Sequence, residues 1–199
     1  MLLFCRKFIG MKKILLALFL LTISNGWSQE CDYKANLDSE VIKLKLTKEY
    51  LMWFKNIGAM TEYIEFSLAN RDSLRFLNVT LSRIDNKVES DSVCFNMTTR
   101  MYLQVSNSKI AVLPYFDIEQ CSKIVDFEET KEQMRSISAS FLITETAANI
   151  LKESPLSFLR ITNKGEDKDY VIRKAIIDPK FSIESYPENY FVNQLHCVD

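Results

Sequence analysis

Between Met97 and Ile118 apolar side chains recur at alternate positions and change parity once: Met97, Met101, Leu103 and Val105 on one side, Ile110, Val112, Phe116 and Ile118 on the other. Period two marks a strand with one buried face, and the parity switch across Asn107 and Ser108 predicts a hairpin closed by a two-residue turn. In that register Val105 faces Ile110, Leu103 faces Val112 and Met97 faces Ile118, so every apolar residue falls on one face. Pro114 lacks a backbone donor and suits a sheet edge.

The same pattern recurs along the chain. Ile64, Phe66 and Leu68 point one way, and Leu74 to Leu81 returns after a turn at Asn70, Arg71 and Asp72. Val41 to Phe54 starts as alternation and ends in the cluster Tyr50, Leu51, Met52, Trp53 and Phe54. Ile137, Ala139, Phe141 and Ile143 mark a further strand. Thr144 can cap a short helix over Glu145 to Glu153, which Ser154 and Pro155 stop. Leu156 to Thr162 and Lys168 to Ile176 read as a third hairpin around Gly165, with Leu159 and Ile161 facing Ile172 and Tyr170. Ser185 and Glu188 have capping-box spacing, and Phe191 and Leu195 sit one helical turn apart, which predicts a terminal helix. The expected fold class is α+β: mostly antiparallel hairpins with two or three short helices, a β-sandwich with peripheral helices being the alternative.

Extending the central register sets Cys94 opposite Cys121 and leaves Cys31 to pair with Cys197. An even set of four fits a compartment where disulfides persist. The N-terminal stretch agrees: Lys12 and Lys13, an apolar run from Ile14 to Ile23, then Ser24, Asn25 and small residues at Gly26 and Ser28. That order is a secretory signal peptide. The run of about ten residues is too short to cross a bilayer, which needs roughly 18 to 20. Residues 1–28 are therefore read as a leader with its true start at Met11, and 29–199 as a single globular domain with no transmembrane anchor after cleavage, secreted or periplasmic.

The leader holds four of the chain's 25 basic residues and no acid, so the remainder carries 21 against 26 acids, formally −5. A mildly acidic surface disfavours nucleic acid. Gly58 and Gly165 are the only glycines beyond the leader, which excludes glycine-rich phosphate loops and dinucleotide fingerprints. His196 is the sole histidine, which excludes metal sites built on two or more. Its adjacency to Cys197 argues against the two folding onto one another as base and nucleophile. No cofactor, metal ligand set or catalytic residue is assigned. Asp126, Glu128, Glu129 and Glu132, with Lys131 and Arg135 among them, read as a solvated helical face. Tyr50, Trp53 and Phe54 read as core packing, since alternation sends them to both faces. Asp72-Ser73-Leu74 and Asp91-Ser92-Val93 match the short acceptor pattern of bacterial O-glycosylation, which marks Ser73 and Ser92 as candidate sites.

Cys31-Asp32-Tyr33 behind the leader, the Leu156 to Ile161 strand after a short helix, and the closing Phe191 to Val198 segment with Cys197 together resemble a group of small exported proteins of Gram-negative bacteria. The resemblance implies a compartment and no mechanism. The expected function is a non-enzymatic binding or envelope-interaction domain for an envelope or extracellular ligand. A carboxylate-based hydrolase acting on saccharide and a structural subunit of an envelope assembly are the alternatives.

Overall fold

In the computed structural model the described residues are 30–40, 42–86 and 92–199. The expected leader lies outside them. Two long antiparallel strands, β4 (Met60–Arg71) and β5 (Leu74–Asp85), form the spine of a curled seven-stranded sheet. The Asp72-Ser73 turn joins them with both residues at positive φ, 53° and 70°. Asn70 Oδ1 accepts the Ser73 N–H and steadies the turn. On one side β4 pairs with β2 (Lys43–Thr47) at its C-terminal end and with β3 (Tyr50–Ile57) along the rest. β1 (Tyr33–Asp38) adds to β2 as an edge. On the other side β5 pairs with β11 (Glu132–Ile143), which carries β10 (Lys123–Phe127). The acidic stretch expected as a helical face is this β10–β11 hairpin: Ile124 and Val125 oppose Arg135 and Met134 in a ladder, and Lys131 turns the chain at φ 57°.

A second sheet of four strands runs β13 (Glu166–Val171), β12 (Leu156–Asn163), β7 (Arg100–Val105), β8 (Ile110–Pro114). Ile64, Phe66, Leu68, Leu77, Val79, Ile137, Ala139 and Phe141 of the first sheet share one buried core with Met101, Leu103, Ala111, Leu113, Leu159 and Ile161 of the second. The molecule is thus mainly antiparallel β with few helices. Helix α1 (Glu145–Glu153) links the sheets; Thr144 Oγ1 accepts the Ala147 N–H and caps it, and it buries Ala147, Ala148 and Leu151. Among the described residues no helix is long and apolar enough to cross a membrane.

Three further sequence expectations are corrected. The β7–β8 turn contains three residues: Val105 N–H donates to Lys109 O, Ser108 N–H donates to Val105 O, and Ser108 takes φ 68°. Leu103 therefore faces Ala111, and Met101 faces Leu113. A slip of one residue inverts a strand's faces. Ala111, Leu113 and Tyr115 are buried, while Met97, Ile110, Val112, Phe116 and Ile118 are exposed. In β3 a bulge at Met52 resets the alternation, so that Tyr50 opposes Phe66 and Trp53 opposes Ile64 on the core face. The expected capping box does not form. Ser185 lies in β15 (Ile183–Ser185), which pairs with β14 (Ile176–Asp178), and its hydroxyl donates to Leu51 O. The terminal helix α2 (Tyr190–Gln194) starts later and continues as a 3-10 turn over Leu195–Val198.

Candidate functional site

At one end of the core the inward faces of both sheets change character. Along β5, Leu77 and Val79 are buried and Leu81 is packed against them; the next residue of that parity is Arg83. Along β11, Arg135 has the parity of Ile137 and Ala139, and along β4, Glu62 has that of Ile64. The ladder registers put Glu62 opposite Arg83 and Arg83 opposite Arg135. From the facing sheet, Asn163, Glu166, Lys168 and Tyr170 follow Leu159 and Ile161 on the same side. Between them is a cavity of about 400 Å³ whose walls also include Trp53, Val93 and Phe95.

The rims of this mouth hold four cations, Arg83, Arg135, Lys164 and Lys168, and two carboxylates, Glu62 and Glu166. Arg83 is partly compensated: its Nη1 is 3.6 Å from Glu62 Oε1 and its Nη2 is 3.4 Å from Asp85 Oδ2. Its Nε is buried without a hydrogen bond among the described residues. Arg135 is less well provided, since Nε and Nη2 are both buried and neither has a partner among the described residues. Two like charges directly opposite on adjacent strands oppose folding, and each buried donor left unmade costs about 1 to 3 kcal/mol. Such an arrangement is expensive for a site with no use.

Trp53 packs edge-on against Tyr170, with centroids 5.1 Å apart, and closes one side of the cavity. Burial, with the Glu62 charge, pushes the Tyr170 hydroxyl up to about 12. Asn163 donates to Cys94 O at 2.6 Å and accepts from Thr99 Oγ1 at 3.1 Å, which ties the cavity wall to β6 (Cys94–Phe95).

The opposite face of the large sheet carries a second, open trough. Glu65, Ser67, Asn78, Thr80, Ser138 and Ser140 form its floor, and Glu49 and Asp117 its margins. Ser140 donates to Asn78 at 2.8 Å, and Thr80 and Ser138 hydroxyls share a bond of 2.9 Å. The two glutamates differ in environment. A hydrogen bond from Lys34 holds Glu49 below its ordinary value, whereas burial, reinforced by Glu49, raises Glu65. The trough runs on into an apolar stretch of Leu44, Leu46, Phe76, Met97, Phe116 and Ile118.

The structure brings Cys31 together with Cys197, and Cys94 together with Cys121, each pair disulfide-bonded. Cys94 opposes Cys121 in a short ladder between β6 and β9 (Gln120–Cys121). His196 lies in the terminal 3-10 turn with its Nε2 3.7 Å from Cys197 Sγ and 3.4 Å from Cys31 Sγ; both sulfurs are engaged in the disulfide, so the neighbours are close in space without making a base and nucleophile. Among the described residues two groupings have metal-ligand proximity, Cys31 with His196 and Cys197, and Cys94 with Glu119 and Cys121. In both the sulfurs are joined to each other, so neither supplies the thiolates that a metal requires. Ser73 occupies the exposed β4–β5 turn, and Ser92 is exposed beside the cavity, its Oγ 3.7 Å from Cys94 Sγ.

The chain matches no protein-family model, no curated protein and no solved structure. The cavity's arginines escape a reading that counts charges along the chain, where Arg135 joins an apparently solvated acidic run. One signal in the sequence does mark them. Arg83 and Arg135 each continue the parity of an apolar strand face, and an inward-pointing charge needs a partner.

Proposed function

We propose that the protein is a non-enzymatic binding domain, working at the cell envelope or outside it, that takes a small anionic ligand into the mouth between its two sheets. The observation that carries this reading is the Arg135 guanidinium, which lines the cavity between the sheets with two buried donors that have no partner among the described residues. Small-molecule sites are concave and combine apolar walls with convergent polar groups; this cavity has both, with a strongly charged rim, and 400 Å³ is within the customary range. The leader pattern and the two cysteine pairs support an exported protein. The test is calorimetric titration of the purified, oxidised protein with a panel of small anions and their neutral counterparts. Saturable binding of anions that weakens when Arg135 is neutralised is the expected result. Indifference to every anion at millimolar concentration would overturn it.

A second reading rests on the outer trough. Carboxyl groups whose environments push their titrations apart are the arrangement of acid and base partners, and Glu65 and Glu49 are such a pair on a hydroxyl-rich floor. It makes the protein a saccharide hydrolase. Release of reducing ends from envelope polysaccharide, abolished in Glu65→Gln, would establish it; equal release by parent and variant would dismiss it.

A further inference from the structure

We infer that the cavity selects a monocarboxylate with a compact apolar body, its head group chelated by the free edge of Arg135. This rests on the binding reading above and narrows it to one ligand class.

The two unsatisfied atoms of Arg135 are Nε and Nη2. Those nitrogens share one edge of the guanidinium, and their N–H bonds run parallel, so that they fit the two oxygens of a single carboxylate. The protein itself shows the complement of that edge. Arg160 donates from Nε to Asp169 Oδ1 at 2.6 Å and from Nη2 to Asp169 Oδ2 at 2.7 Å. What Asp169 does for Arg160 on the outer face of the smaller sheet, no described residue does for Arg135. Arg83, opposite it on β5, adds one further free donor at Nε, its other nitrogens being turned to Glu62 and Asp85.

Shape restricts the head group further. Among the described residues the four cations and two carboxylates of the mouth leave an excess of positive charge, so charge alone admits monoanions and dianions, and it is the two parallel donors of one guanidinium edge that match a planar carboxylate. The remaining walls call for an apolar body: Trp53, Ile64, Leu81, Phe95, Ile137 and Ile161. At roughly 30 Å³ per water-sized volume, a 400 Å³ cavity holds about a dozen such units, the size of a phenylalkanoate. The Arg135 edge is closed to water, so occupancy requires the half-buried side chain to turn toward the cavity. That turn replaces an unsatisfied state with a paired one.

The experiment follows Trp53 fluorescence in the full protein, leader removed by export, during titration with hydrocinnamate, with its neutral amide and with inorganic phosphate. Hydrocinnamate should give saturable quenching, and the amide and phosphate should each bind at least tenfold more weakly. Arg135→Gln should weaken hydrocinnamate at least tenfold. Arg135→Lys, which keeps the charge and loses the paired donors, should do nearly the same. Near-UV circular dichroism verifies that both variants remain folded. Phosphate binding that depends on Arg135, without hydrocinnamate binding, would overturn the carboxylate inference and leave the anion reading standing. Binding that Arg135→Lys preserves in full would overturn the chelating edge alone. Failure of both hydrocinnamate and phosphate to bind would overturn the site.

Discussion

Arg135→Met should make the protein more stable, which is the reverse of what most substitutions at a half-buried position do. Methionine keeps the unbranched stem that packs against the strand and removes the guanidinium. Two buried donors without partners among the described residues then vanish, each worth about 1 to 3 kcal/mol of desolvation. The like-charge contact with Arg83 across the β5–β11 ladder disappears too, at roughly 0.2 to 1 kcal/mol. Methionine and arginine lose similar rotamer entropy on ordering, so that part of the balance is unchanged, and a net gain of at least about 2 kcal/mol, the low end of the sum, is the expected outcome. Urea unfolding at neutral pH, monitored by far-UV circular dichroism, measures it as a raised midpoint with an unchanged slope. A loss of about 1 kcal/mol or more would refute the reasoning.

Other outcomes follow from the fold. Replacing Cys31 and Cys197 by serine should cost about 5 kcal/mol in the chain-entropy account, and replacing Cys94 and Cys121 about 3.6, given separations of 166 and 27 residues; calorimetric melting of the two variants gives the order, and equal losses would refute it. Phe141→Ala, which empties a fully buried ring packed edge-on against Tyr115 and Phe95, should cost about 3 to 5 kcal/mol in urea unfolding. Ser73→Gly relieves a left-handed residue in the β4–β5 turn and should stabilise by about 1 kcal/mol on the same assay. Because Glu65 titrates above its ordinary 4.5 in the folded state, its share of stability is full below that value and is lost as pH rises through the raised one. Glu65→Gln should therefore flatten that part of the stability profile and exceed the parent at neutral pH; a steeper profile would contradict the burial of the carboxyl.

The strands of the large sheet were legible because Ile64, Phe66 and Leu68, and Ile137 to Ile143, alternate without interruption, and helix α1 because its cap and its proline stop are local. Register was harder, and its errors had unequal consequences. In the β12–β13 hairpin Leu159 faces Tyr170, not Ile172, a slip of two residues that leaves every side chain on its expected face. In β7–β8 a slip of one residue, set by the Ser108 turn, exchanged the buried and exposed halves of β8. Cys94 opposes Cys121 even so, since β6 and β9 form a ladder of their own, one residue out of step with β7 and β8. The Met52 bulge left no mark in a strict period of two. The cavity was hidden for a different reason: its walls come from strands far apart in sequence, and only the parity of Arg83 and Arg135 hinted at where they point.

The last few residues act as a clasp on what precedes them. Tyr33 donates to Cys197 O at 2.8 Å and Asn70 to Val198 O at 2.7 Å, while Lys45, Arg75 and Lys152 all reach Asp199. Four strands and a helix thus wait on a segment that a ribosome delivers after them. The Cys31–Cys197 bond can close only after residue 197 has been made, so a chain halted before that point has no route to the covalent ring that ties the start of the domain to this turn.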